Sequence, residues 1–138
     1  MADAVTSQTL SDGGTTAVVK LTNISDGTGE SSVAKVDVSG LTSSSDGTEC
    51  SRVHIDQIWY DIGGMRVALE WNATSNVVAA VLGGSAAAGP GSGYMDFRSF
   101  GGLKNNAGGG INGDIDLTTH GHTNHDHYTI VLQLRKSY

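Results

Sequence analysis

The chain has 138 residues, a single-domain length able to bury one core without staples. Twenty glycines, one proline and only 16% charged residues leave no window for a long amphipathic helix, so the class is all-β. A formal charge of −6 argues against non-specific nucleic-acid binding, which needs a basic surface, and no apolar run approaches a membrane span. Cys50 is the one cysteine, so an intrachain disulfide is impossible; this fits synthesis in a reducing cytosol. With no basic-then-apolar leader, the expectation is a protein that acts where it is made or leaves by lysis.

Residues 1–10 are small and polar apart from Met1, Val5 and Leu10, and read as an edge strand or as an arm that orders on a partner. Residues 11–138 form the β-domain. Ala17, Val19 and Leu21 share one face of a strand whose other face carries Thr16, Lys20 and Thr22 beside Val18, and Val36 and Val38 alternate with Lys35 and Asp37 in the next. Ser-Asp-Gly recurs at residues 11–13, 25–27 and 45–47. Asp bonding the downstream backbone with Gly at a left-handed position is turn chemistry, and the triplets lack the spaced carboxylates of a calcium loop.

Residues 52–72 carry both tryptophans. Val53 and Ile55 alternate with polar residues, the phase slips at Gln57-Ile58, and Met65, Val67, Leu69 and Trp71 then share a face. The slip implies a β-bulge or a change of sheet. Asp61-Ile62-Gly63-Gly64 reads as the turn of a hairpin, with Trp59 and Trp71 centring the core. Val77–Leu82 is apolar on both faces: a strand covered twice within the fold, or once by a neighbouring subunit. Two Gly-rich loops, 83–93 and 99–113, flank a short strand at Tyr94–Phe97; neither has the Gly-Lys-Ser/Thr ending of a phosphate loop. Ile115 and Leu117 alternate with Asp114 and Asp116, an acid pair placed on a solvated face. Tyr128, Ile130, Leu132 and Leu134 share the inner face of the last strand. Eight or nine short antiparallel strands amount to a single-domain β-sandwich, jelly-roll-like in type.

His120, His122, His125 and His127 form the sharpest local cluster. A hairpin tipped at Thr123-Asn124 would set all four imidazoles on one face, where they could hold zinc, nickel or copper; the alternative is a solvated loop. Cys50 has no local cation to activate it, no Gly-x-Ser-x-Gly elbow is present, and no pair of carboxylates marks a cleft, so catalysis is not expected. Arg135-Lys136 reads either as a charged edge that discourages strand pairing or as a contact patch.

Two segments resemble a pattern of small virion structural proteins from tailed bacteriophages, marine and cyanobacterial ones especially: IWYDI at 58–62 with MRVALEWNA at 65–73, and GDIDLTT at 113–119 with YTIVLQLRK at 128–136. Tyr94–Phe97 fits the same pattern. The resemblance covers the C-terminal two-thirds, and its motifs are strand patterns without catalytic residues. It implies a head decoration or cement protein, assembled in the host cytoplasm and carried on the virion's capsid surface. There it would bridge major capsid protein subunits and associate with itself, a trimer being one arrangement. Val5, Leu10, Tyr94, Phe97, Arg135 and Lys136 are the interface candidates. The histidine-rich connection departs from the family's usual loop, so no role for it follows from the resemblance. Other expectations are a neck, tail or fibre component with receptor or glycan contact, or a soluble ligand-binding sandwich.

Overall fold

The computed structural model describes residues 4–27, 29–44, 46–82, 91–105, 113–120 and 124–137, with the side chains of residues 4, 124 and 125 outside that description. Most of the first Gly-rich loop and the middle of the second lie outside the described residues. Among the described residues nine strands form: β1 (Ala4–Asp12), β2 (Thr16–Asp26), β3 (Val33–Val36), β4 (Arg52–Gly63), β5 (Arg66–Trp71), β6 (Val77–Leu82), β7 (Gly91–Asp96), β8 (Ile115–His120) and β9 (Asn124–Ser137). They make a five-stranded sheet, β1-β2-β9-β4-β7, and a four-stranded sheet, β3-β8-β5-β6. β2 pairs with β9, β3 with β8, β4 with β7 and β5 with β6, all antiparallel. Those are the pairs of one long hairpin whose tip is the 72–76 turn. It rolls up so that β4 meets β9 and β5 meets β8. This winding is the jelly roll, as the strand pattern led us to expect.

Period-two alternation selects the core. Ala17, Val19 and Leu21 of β2, Val67, Leu69 and Trp71 of β5, and Tyr128, Ile130, Leu132 and Leu134 of β9 are buried between the sheets. The phase slip in β4 is a bulge between Ile55 and Gln57. It lets Ile55 and Ile58 both face inward, and the alternation that follows buries Ile62 and turns Trp59 out.

Three expectations are corrected. Residues 52–72 are not a hairpin within one sheet: β4 and β5 belong to opposite sheets, and Gly63-Gly64 is the crossing between them. Gly64 is favoured there by its left-handed backbone, and both glycines leave room for side chains packed over the crossing. A Cβ on Gly63 would lie 2.5 Å from the His127 ring, and Gly64, at φ +84°, would meet the Asp126 carboxylate at 2.2 Å. Trp59 is therefore outside the core, 39% exposed, and Trp71 alone of the pair is central. Of the two readings of Val77–Leu82, cover on both sides within the fold is the one corrected: among the described residues the strand is a sheet edge, with Leu82 buried and Val77, Val78 and Val81 exposed.

Each end of the sandwich is tied by a buried charge. At one end the Glu30 carboxylate accepts hydrogen bonds from Asn23 Nδ2 (2.7 Å) and the Tyr128 hydroxyl (2.6 Å) and pairs with Lys35, both charged side chains being almost wholly buried. Its backbone N–H donates to Thr119 Oγ1 (2.9 Å) and its carbonyl accepts from Thr119 N (3.0 Å), which joins it to β8. At the other end the fully buried Lys136 ammonium donates to Asp12, to the Gly13 carbonyl and to the Thr42 carbonyl (2.9 Å). Asp12 also accepts from Thr42 N (2.9 Å); burial tends to raise its pKa, but these bonds prevail and the net shift is downward. Removing one member of a buried charged pair leaves the other uncompensated, so Glu30→Ala should cost about 3–5 kcal/mol of stability, read from urea or thermal unfolding.

Candidate interaction surfaces

The outer face of the five-stranded sheet carries an aromatic pair that the β4 bulge creates. Trp59 and Tyr94 are direct cross-strand partners on β4 and β7, and their rings stack with centroids 5.3 Å apart at 30°. Gln57, buried at the bulge, donates its amide to the Tyr94 hydroxyl and fixes that ring. Beside the pair runs a shallow groove of about 310 Å³ lined by Trp59, Tyr60, Asp61, Gly93, Thr129 and Val131. A broader depression of about 520 Å³ on the same face is lined by Val5, Thr6, Thr22, Asn23, Ile24, His127, Tyr128 and Thr129. Hydroxyls and apolar groups dominate both, and their linings bring no set of ionisable groups to a common point.

At the rim of this sheet, the Arg98 guanidinium grips Asp96 with two bonds, Nε to Oδ1 (2.9 Å) and Nη2 to Oδ2 (2.8 Å), and holds its carboxyl well below the usual range. The turn that follows folds back on β4. Ile55 and Leu103 exchange both backbone bonds (3.0 and 2.8 Å), and Phe97 N donates to the Asp56 carbonyl (2.8 Å). Gly102, at φ +90°, lies so close that a Cβ would stand 2.6 Å from Asp56 Oδ1. Under this turn sit His54, Asp56 and Arg135, with Arg135 Nη2 bonded to the Gly101 carbonyl and 3.6 Å from Asp56 Oδ1.

The interface candidates divide on inspection. Tyr94 is exposed as expected, and Val5 and Leu10 are exposed on the edge strand β1, Leu10 at a bulge between Thr9 and Ser11. Phe97 instead packs partly buried against the core, and the exposed ring is Phe100, edge-on to it at 6.1 Å. Lys136 is an internal strut, so Arg135-Lys136 is not a basic contact patch; Arg135 alone reaches the surface. Sequence reasoning missed Trp59 and Phe100. The slip at Gln57-Ile58 was the available signal for the first, since it reverses the face of every later residue in the strand.

The histidine hairpin is also corrected. β8 ends at His120 in one sheet and β9 begins at Asn124 in the other, so the two strands are not paired. His120 lies opposite Arg66, and His127 lies opposite Ile24 and Gly63. The side chains of His122 and His125 lie outside the described residues. No group of three or more His, Cys, Asp or Glu converges as a metal set among the described residues.

Asp114 and Asp116 do not share a solvated face. Asp116 is buried, and its Oδ2 accepts from Asn72 Nδ2 (2.7 Å) and Asn76 Nδ2 (3.0 Å), which pins the tip of the long hairpin. Asp114 Oδ1 accepts from Val38 N (3.0 Å); burial raises its pKa, helped by the charges of Asp37 and Asp116. Burial likewise raises the Cys50 thiol.

Comparison with family models, with curated proteins and with solved structures gives no match for this chain.

His54 provides a pH test of the turn over β4. Burial lowers its pKa, Arg135 adds to the shift, Lys104 and Arg52 contribute in the same sense, and Asp56 opposes them. A histidine with a depressed folded-state pKa binds protons more readily when unfolded. Its contribution is therefore present above the unfolded value, about 6.5, and is lost as pH falls towards the folded value. His54→Gln should flatten the fall in Tm between about pH 7 and pH 5, measured by calorimetry in a buffer series.

Proposed function

We propose that this chain is a non-enzymatic structural protein of a virion, a head decoration or cement protein that docks on major capsid protein subunits. The resemblance of residues 58–62, 65–73, 94–97, 113–119 and 128–136 to such proteins supports the virion assignment. The jelly roll is an architecture used by viral capsid domains and by lectins alike, so the fold is compatible with the reading without selecting it. The observation that carries a docking role is the Trp59–Tyr94 pair, two large rings stacked on the outer face of a sheet and left partly exposed by the described residues. Aromatic side chains are enriched in protein interfaces because each buries a large area with few rotatable bonds. A cement protein gains from this arithmetic, since a modest contact repeated over the shell adds up across many copies.

The same rings supply the second reading, a neck, tail or fibre part that contacts a glycan. A sugar ring can stack on an indole or phenol face, and Asp61 and Thr129 stand beside Trp59 to accept or donate hydrogen bonds.

Quantitative mass spectrometry of purified particles separates these. Capsid-level stoichiometry is expected; a dozen copies or fewer would move the protein to the neck or tail, and none would remove the virion reading. The Trp59→Ala/Tyr94→Ala double variant gives up the ring stack and the Gln57–Tyr94 bond, so it should lose about 1–3 kcal/mol of stability, remain folded by circular dichroism, and lose occupancy on particles that lack the wild-type protein. Full occupancy would exclude this face as the contact.

A further inference from the structure

Each sheet has two edges, and β6 differs from the other three. β1 presents Thr6, Ser7, Gln8 and Thr9, β7 presents Gly91, Ser92 and Gly93 and ends at the Asp96–Arg98 pair, and β3 is four residues long. β6 reads Val-Val-Ala-Ala-Val-Leu, with no charge, proline or glycine to discourage pairing. It is bonded to β5 on one side and, among the described residues, ends its sheet on the other.

The sequence of β6 reads nearly the same in both directions, Val77 matching Leu82, Val78 matching Val81 and Ala79 matching Ala80. In a regular strand the palindrome would not be self-complementary, because residues 78 and 81 would face opposite sides. The observed register removes that obstacle. Leu69 lies opposite Ala80 and Glu70 opposite Val78, so Ala79 is the extra residue. Val81, opposite Ala68, and Val78, opposite Glu70, consequently both point outward and are 58% and 53% exposed. Val77 and Leu82, opposite Trp71 and Val67, take the other side, where Leu82 is buried and Val77, at the strand's start, stays exposed. A two-fold contact requires that residue i meet j while j meets i, with both on one face. β6 satisfies this for both of its valine and leucine pairs.

We propose that β6 is a two-fold interface between two copies of this chain, pairing antiparallel so that Val78 faces the partner's Val81 and the two four-stranded sheets become one of eight strands. The contact would bury the apolar edge and satisfy its open row of backbone groups, the mode of strand addition. It lies on the sheet opposite Trp59 and Tyr94, so it goes beyond the capsid-docking reading and stands or falls without it.

Sedimentation equilibrium of the full chain over a concentration series tests this. A monomer–dimer equilibrium is expected for the wild type; a monomer at every concentration, or a trimer, would overturn the proposal. Val78→Lys and Val81→Glu each change an exposed side chain, and far-UV circular dichroism checks that each still folds. Each alone should sediment as a monomer at half the dimer mass, and either one remaining dimeric would refute the contact. Mixed in equal amounts at low salt, the two variants set the introduced ammonium of one chain opposite the introduced carboxylate of the other. They should re-form a dimer that about 0.5 M salt weakens by screening the pair. Failure of the mixture to associate would overturn the stated register.

Discussion

One carboxylate holds the two sheets in register. Glu30 lies on the link that carries the chain from β2 in the larger sheet to β3 in the smaller, and its side chain is bonded to Asn23 on β2, Tyr128 on β9 and Lys35 on β3. Its backbone reaches β8 through Thr119. A jelly roll has to cross between sheets several times, and each crossing interrupts the ladder that would otherwise satisfy the backbone. Buried polar groups are tolerated when every member has a partner, and they then favour one arrangement over its neighbours. Lys136, paired with Asp12, does the equivalent work at the far end, so a buried ion pair with its hydrogen bonds closes each mouth of the sandwich.

Strand content and facing were legible in the amino-acid sequence because they depend on local alternation. Met65, Val67, Leu69 and Trp71 fall inside as their spacing requires, and the slip at Gln57 marks a real bulge. Which sheet a strand joins is a long-range property that alternation does not encode. Gly63-Gly64 looks the same whether it turns a hairpin or crosses a sandwich, and so the histidine segment between β8 and β9 also read as a hairpin. The buried charges were illegible for a related reason. Glu30, Lys35, Asp116 and Lys136 are ordinary surface residue types, and only their tertiary partners make burial tolerable.

The surfaces left over follow from these constraints. The β4 bulge turns Trp59 outward onto Tyr94, and the displaced Ala79 turns Val78 and Val81 outward together. In both places one extra residue in a strand moves apolar side chains from the interior to the exterior. One patch sits on the broad face of the larger sheet and the other on the free edge of the smaller. The molecule thus has two chemically distinct apolar surfaces, one aromatic and one aliphatic, that a single assembly could use for different neighbours.

The placement of β9 has a temporal consequence. It lies between β2 and β4 in the middle of the larger sheet, yet it follows all eight of the other described strands in the sequence. Until residues 124–137 emerge, β2 and β4 lack the partner that each needs on its inner side, and Tyr128 is not there to meet Glu30. The jelly roll is therefore completed only after β1 to β8 have all been synthesised. Its contacts are dominated by distant pairs, a topology associated with slow folding and a longer exposure of unpaired strands.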